Sequence, residues 1–138
     1  MSESKIRSGG CSCGAVRYET EGDPVRVMTC HCKQCQRRTG SAFGIGCYFP
    51  KQKVNILQGD LKTFERSSDA GRWFKSQFCT ECGSTVLWHL EIQPDAVAIA
   101  GGSFDDIDWI EPQLHFWSVK AHNWIQIPKD VKVFQEQP

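Results

Sequence analysis

Three thiols fall within six residues of this chain, Cys30-His31-Cys32-Lys33-Gln34-Cys35, in a C-x-C-x-x-C spacing. Thiols so close together suit one soft metal ion better than three separate structural roles, and zinc is the best match for an all-sulfur donor set. A second hook, Cys79-Thr80-Glu81-Cys82-Gly83, has the form of a zinc knuckle with its trailing glycine. A third, Cys11-Ser12-Cys13-Gly14, follows Gly9 and Gly10. Glycines around such cysteines permit positive φ and let backbone N–H groups approach the sulfurs. Disulfides are the competing explanation for the eight cysteines. The C-x-C and C-x-x-C spacings are poor for local bridging. The opening residues also lack the apolar run of a secretory signal, so the expected compartment is the reducing cytoplasm. No βαβ pattern surrounds either C-x-x-C, which argues against a thioredoxin-like redox pair.

A closed zinc site takes four ligands, and two hooks from distant parts of a chain make one such site. Cys11 and Cys13 with Cys79 and Cys82 form this set, a structural site whose binding energy would be folding energy. Cys30, Cys32, Cys35 and Cys47 remain. They either form a second closed site, or Cys30, Cys32 and Cys35 hold a metal with one position open while Cys47 is a core residue. Alternation from Ser41 to Phe49 puts Cys47 with Phe43, Ile45 and Phe49 on an apolar face, which favours the open arrangement. The opposite face, Ala42, Gly44, Gly46 and Tyr48, is nearly bare and suggests close approach by a ligand or another backbone. His31 lies between two ligand candidates, and an extended link would turn it to the other side, as a supporting or solvent-facing imidazole. His89, His115 and His122 lack metal-type spacing and receive no role. Lys33, Arg37, Arg38, Arg72 and Lys75 read as solvated charges, with those near the open site able to meet an anionic ligand.

The elements that position these residues read as an all-β domain of short antiparallel strands with one or two helical turns. Strands are expected at Val16–Thr20, Val25–Met28, Ser41–Phe49, Val54–Leu57, Leu61–Glu65, Arg72–Phe78, Thr85–His89, Ala96–Ala100, Leu114–Val119 and near Trp124–Ile127. The turns fall at Glu21–Pro24, Gly59-Asp60 and Asp69–Gly71, and Asp105–Trp109 is a loop or one helical turn. A short helix covers Cys32 to Thr39 and stops at Gly40, bringing Cys32 and Cys35 to one face. Residues 1–8 are expected to be a flexible N-terminus and residues 9–138 a single domain, with no repeat and no internal boundary. Lys+Arg and Asp+Glu both count 16, a neutral balance that disfavours nucleic acid as a partner. No run approaches 18 apolar residues, so no membrane span is expected. Walker, dinucleotide and G-x-S-x-G signatures are absent.

Taken together, Gly10-Cys-x-Cys-Gly14, Cys30-His-Cys-x-x-Cys35 with Thr39-Gly-Ser41, and Phe78-Cys-x-x-Cys-Gly-Ser84 resemble the glutathione-dependent formaldehyde-activating enzyme family, whose domain also occurs in centromere protein V. Gly101-Gly102-Ser103-Phe104-Asp105, Pro112, His115-Phe116 and Trp124-Ile-x-Ile127 extend the resemblance, which runs from Ser8 to Phe134. It implies an Mss4-like fold with two Zn2+ per chain. Cys11, Cys13, Cys79 and Cys82 match the structural zinc, Cys30, Cys32 and Cys35 match the catalytic zinc, and Cys47 falls outside the ligand set. It also implies a carbon–sulfur lyase that forms or cleaves S-hydroxymethylglutathione from a small thiol, glutathione, and a small aldehyde, formaldehyde. The alternatives are a non-catalytic zinc domain that binds glutathione and one that binds a protein partner.

Overall fold

Short runs rich in β-branched and aromatic residues, interrupted by glycine and proline, pair into two sheets. The computed structural model of the protein describes residues 5–68 and 70–136. Strands β1 (Ile6–Gly10), β2 (Arg17–Glu21) and β5 (Val54–Gln58) make a small antiparallel sheet with β2 in the centre. The larger sheet contains β3 (Arg26–Cys30), β4 (Gly44–Pro50), β6 (Leu61–Ser67), β7 (Trp73–Cys79), β8 (Thr85–Leu90), β9 (Gln93–Ala100), β10 (Leu114–Phe116) and β11 (Lys132–Val133). Its spatial order is β11-β10-β3-β4-β9-β8-β7-β6. One helix, α1 (Lys33–Thr39), joins β3 to β4. The fold is thus mostly β with antiparallel sheets and one helix. No described helix is long and apolar enough to cross a membrane.

The larger sheet has an apolar layer on each face. On one, Cys47, Phe49, Leu87, Val97 and Ile99 pack with Val16 and Tyr18 of the small-sheet side. On the other, Met28, Tyr48, Phe74, Trp88, Ala98 and Phe116 form a second cluster, against which Cys30 and Trp117 rest. Strand alternation produces the split: Cys47 and Tyr48 are neighbours in β4 and must point to opposite faces. Antiparallel register carries each face across the sheet, pairing Cys47 with Val27 and Ile99, and Gly44 with Cys30.

Several expectations need correction. A flexible N-terminus is expected through Ser8, but Ile6–Gly10 is a strand paired with β2 from Ile6↔Glu21 to Gly10↔Arg17. Its polar composition conceals it, because Arg7 stacks on Trp109 at 4.1 Å and donates to the Gly22 carbonyl at 2.8 Å where an apolar side chain would serve elsewhere. Met1–Ser4, the turn residue Asp69 and residues 137–138 lie outside the described residues. Trp124–Ile127 is not a strand; Lys132–Val133 supplies the last one. The antiparallel rule fails at β10, which runs parallel to both β3 and β11. The chain leaves β9 through a long loop and re-enters the sheet beyond β3, so its direction there is set by a crossover that no local pattern encodes.

Candidate functional site

The four-thiol group is built from two turns. Cys11 directly follows β1, and there Cys11 N–H donates to the Val16 carbonyl (3.1 Å) and Val16 N–H donates to Cys11 Sγ (3.2 Å). β7 ends at Cys79, where Glu81 N–H donates to Cys79 Sγ (3.3 Å) and Gly83 N–H to the Cys79 carbonyl (2.9 Å). Gly14 and Gly83 close the two turns with φ of 84° and 81°, a conformation costly for any residue with a Cβ. The turns are stitched together by Ser84, whose hydroxyl accepts from Ser12 N–H at 3.2 Å. The ligand atoms of Cys11, Cys13, Cys79 and Cys82 lie within 4.8 Å of one another. Cys11 and Cys79 are buried; Cys13 and Cys82 are exposed. The Ser84 hydroxyl beside Cys82 holds that thiol down to about 5.

The three-thiol group comes from one strand-to-helix junction. β3 delivers Cys30, and Cys32 serves as the N-cap of α1, its sulfur accepting from Cys35 N–H at 3.3 Å. The helix ends where expected, at Gly40 in the left-handed region with φ 64°. Beyond Phe116, His31 N–H donates to the Phe116 carbonyl at 2.9 Å, so parallel β10 braces the junction from the side. The three sulfurs lie within 4.8 Å of one another. Like charges so close cannot coexist without a cation. Hydrogen bonding to Cys32 pushes the Cys30 thiol up, while donation from Cys30 and Cys35 holds Cys32 well below the ordinary thiol range. Both groups offer an all-sulfur donor set of the right compactness, so each could hold a metal ion, consistent with zinc.

Cys47 is in neither group. It is fully buried on the far face of the sheet, and burial pushes its thiol up to about 12. His31 is also absent from the three-thiol group, but it is buried rather than solvent-facing: Nε2 shares a 3.1 Å hydrogen bond with Thr29 Oγ1, and the ring packs on Phe43. Thr29 Oγ1 bonds His115 Nδ1 as well, at 2.6 Å, making His115 a satisfied core residue on one side of its ring. Alternation along Thr29-Cys30-His31-Cys32 separates the imidazole from the sulfurs.

Cys30, Cys32 and Cys35 open on a cavity of about 50 Å³. Its walls are Met28, Tyr48, Phe74, Trp88, Leu90 and Trp117, with Arg38 and Arg66 as its charged residues. No Asp, Glu or His lines it among the described residues. Burial pushes the Tyr48 phenol up, so it remains a hydrogen-bond donor at neutral pH. Trp117 stands at φ 57°, ψ 41°, a left-handed conformation that is strained for a bulky side chain. The bare face of β4 is explained here. A Cβ on Gly46 would meet Trp88 Cζ2 and Tyr48 Cε1 at 3.0 Å, and one on Gly44 would meet Arg38 Nη2 at 2.5 Å. Side chains occupy the space that the sequence left free, where a ligand or another backbone was expected. Arg38 is one of the cations whose sequence position beside the three thiols suggests contact with an anionic ligand. Arg66, Phe74, Trp88 and Trp117 are not so placed, because strand pairing brings them in from distant positions.

A family model described as glutathione-dependent formaldehyde-activating enzyme matches residues 6–120. Among solved structures, the crystal structure of a Rhodobacter sphaeroides protein is similar with a TM-score of 0.60 at 21% identity, covering 74% of this chain and 91% of that one. At that identity the likeness is one of fold.

Proposed function

The chain belongs to the glutathione-dependent formaldehyde-activating enzyme family, and on that premise we propose that it is a zinc-dependent carbon–sulfur lyase. Its reaction would be formation or cleavage of the hydroxymethyl adduct of glutathione or of a related small thiol, in the cytoplasm, with residues 9–138 working as one domain. The observation that carries the reading is the contrast between three clustered sulfurs opening on a cavity, those of Cys32 and Cys35 buried and that of Cys30 partly so, and a fourth candidate, Cys47, turned to the opposite face of the sheet. In this reading Cys11, Cys13, Cys79 and Cys82 hold a structural zinc, and Cys30, Cys32 and Cys35 hold a second one. Bound there, that zinc would supply an open position where a substrate sulfur stays ionised at neutral pH.

The chain's own residues then act by placement. The aromatic walls exclude water from the reacting atoms, and holding thiol and aldehyde together supplies much of the acceleration. In the synthetic direction the thiolate sulfur forms a bond to the aldehyde carbon, the carbonyl π pair moves to oxygen, and that oxygen takes a proton. Cleavage reverses each change. With no imidazole or carboxylate lining the cavity among the described residues, the proton is exchanged with a hydroxyl donor in the lining such as Tyr48. The same scarcity of acid–base groups supports a second reading, a zinc domain that holds a thiol adduct without turning it over.

Exchange kinetics between formaldehyde and glutathione, followed by NMR with zinc-loaded protein, separate the two. Acceleration over the protein-free mixture is expected. Saturable thiol binding without acceleration favours the carrier, and neither binding nor acceleration sinks both.

A further inference from the structure

Arg38 is the polar residue in this cavity whose donors lack acceptors. Its Nε and Nη2 atoms are buried and make no hydrogen bond among the described residues. These two atoms form one edge of the guanidinium, where two N–H bonds point in parallel and match the two oxygens of a carboxylate. Leaving both unsatisfied is costly, since a buried donor without an acceptor has given up its water and gained nothing in return. The fold nevertheless holds the group in place. The guanidinium lies over the Trp88 ring at 4.2 Å, and Gly44 gives up a Cβ at the position of Nη2. A Cβ on Gly44 would lie 2.5 Å from Nη2 and 3.6 Å from Cys35 Cβ, so the arginine edge and the thiols flank the same glycine in the cavity lining.

The surroundings have one sign. Arg66 lines the same cavity, stacked on Phe74 at 4.2 Å. Arg37 joins Arg38 and Arg66 along an adjoining cleft of about 410 Å³. Neither space has an acidic residue in its described lining, and none of these three arginines forms an ion pair among the described residues. Positive charge with a bidentate edge, an apolar chamber and an adjacent sulfur site together describe a ligand with three parts: a sulfur, a short apolar segment and an anionic oxygen pair.

We infer that Arg38, flanked by Arg66, is the receptor for a carboxylate of the thiol substrate, so that the site selects carboxylated thiols over neutral ones. This rests on the proposed thiol-binding role of Cys30, Cys32 and Cys35. A counter-charge for the three thiolates is the competing role for Arg38, and it makes no distinction among thiols.

The test is calorimetric titration of the zinc-loaded full chain with 3-mercaptopropionate and with its methyl ester, which share sulfur and carbon skeleton and differ in charge. The acid is expected to bind at least about tenfold more tightly than the ester, in line with a charge-assisted bidentate contact. Arg38→Gln removes that preference and leaves ester affinity and metal content unchanged. Gly44→Ala, which keeps the charge but crowds Nη2, reduces the preference too. Arg38→Lys keeps the charge without the fork and loses most of it, which covers the case in which the glutamine variant fails to fold. Equal binding of acid and ester by the unmodified protein overturns this inference alone. Loss of metal, or an equal fall for both ligands, in Arg38→Gln assigns the residue to charge balance and overturns it as well. If neither thiol binds, the proposed thiol site falls with it.

Discussion

The two cysteine groups use the same donor atom and differ in how the chain brings it together. The four-thiol group joins turns that are remote in sequence, with Cys13 and Cys79 sulfurs 3.8 Å apart across 66 positions. Each turn is tightened by N–H···S bonds and a left-handed glycine, and two of its sulfurs face solvent. The three-thiol group spans six consecutive residues at the end of β3 and start of α1, under an aromatic wall. A metal at the first group would restrain long loops of the unfolded chain, so its binding contributes directly to folding. At the second, the sulfurs are neighbours already, and the fold's contribution is the chamber around them.

Truncation should expose this difference most strongly. Cys79→Ala is expected to cost roughly 5 kcal/mol or more, on the scale of a whole domain's stability, and to abolish cooperative unfolding. Cys32→Ser is expected to cost less than about 2 kcal/mol, because serine is itself a favoured N-cap, while one metal per chain is lost. Thermal melts combined with metal analysis by mass spectrometry compare the two, and the reverse order would end the distinction. A smaller effect is expected at Cys47→Ser. Placing a hydroxyl among Phe49, Val97 and Ile99 should destabilise by about 1–3 kcal/mol with both metals retained. Loss of one metal in that variant would move Cys47 into a ligand set. The smallest effect tests the wall of the chamber. At Trp117, replacement by glycine should leave the protein about 1 kcal/mol more stable in chemical denaturation than replacement by alanine, because the position is left-handed. Alanine ahead of glycine would show that the strain is absent.

What could be read from the chain was what depends on near neighbours. The helix and its stop at Gly40 follow from residues within one turn of that boundary, while Cys32, expected as its first residue, is instead its cap. The two faces of β4 follow from alternation alone, and with them the seclusion of Cys47. The grouping of seven thiols into four and three followed from hook spacing and matches the clusters found. Features that depend on distant pairing were hidden. β1 carries no apolar stripe, since Arg7 does its packing through the stack on Trp109. Trp124–Ile127 has strand-like composition and no partner strand, whereas the two-residue β11 is a strand because β10 lies beside it. Arg66 and Trp88 reach the thiol chamber through the β6-β7-β8 pairings, so nothing local marks either of them.

The contiguity of Cys30, Cys32 and Cys35 also bears on the order of assembly. Closing a loop of a few residues takes well under a microsecond, and its entropic cost is small beside that of joining Cys11 to Cys79. A nascent chain that has emerged only as far as Gly40 already carries the complete three-thiol set, whereas the four-thiol set waits for Cys82. Metal would therefore be captured first at the local cluster, during synthesis, and last at the one that locks the sheets.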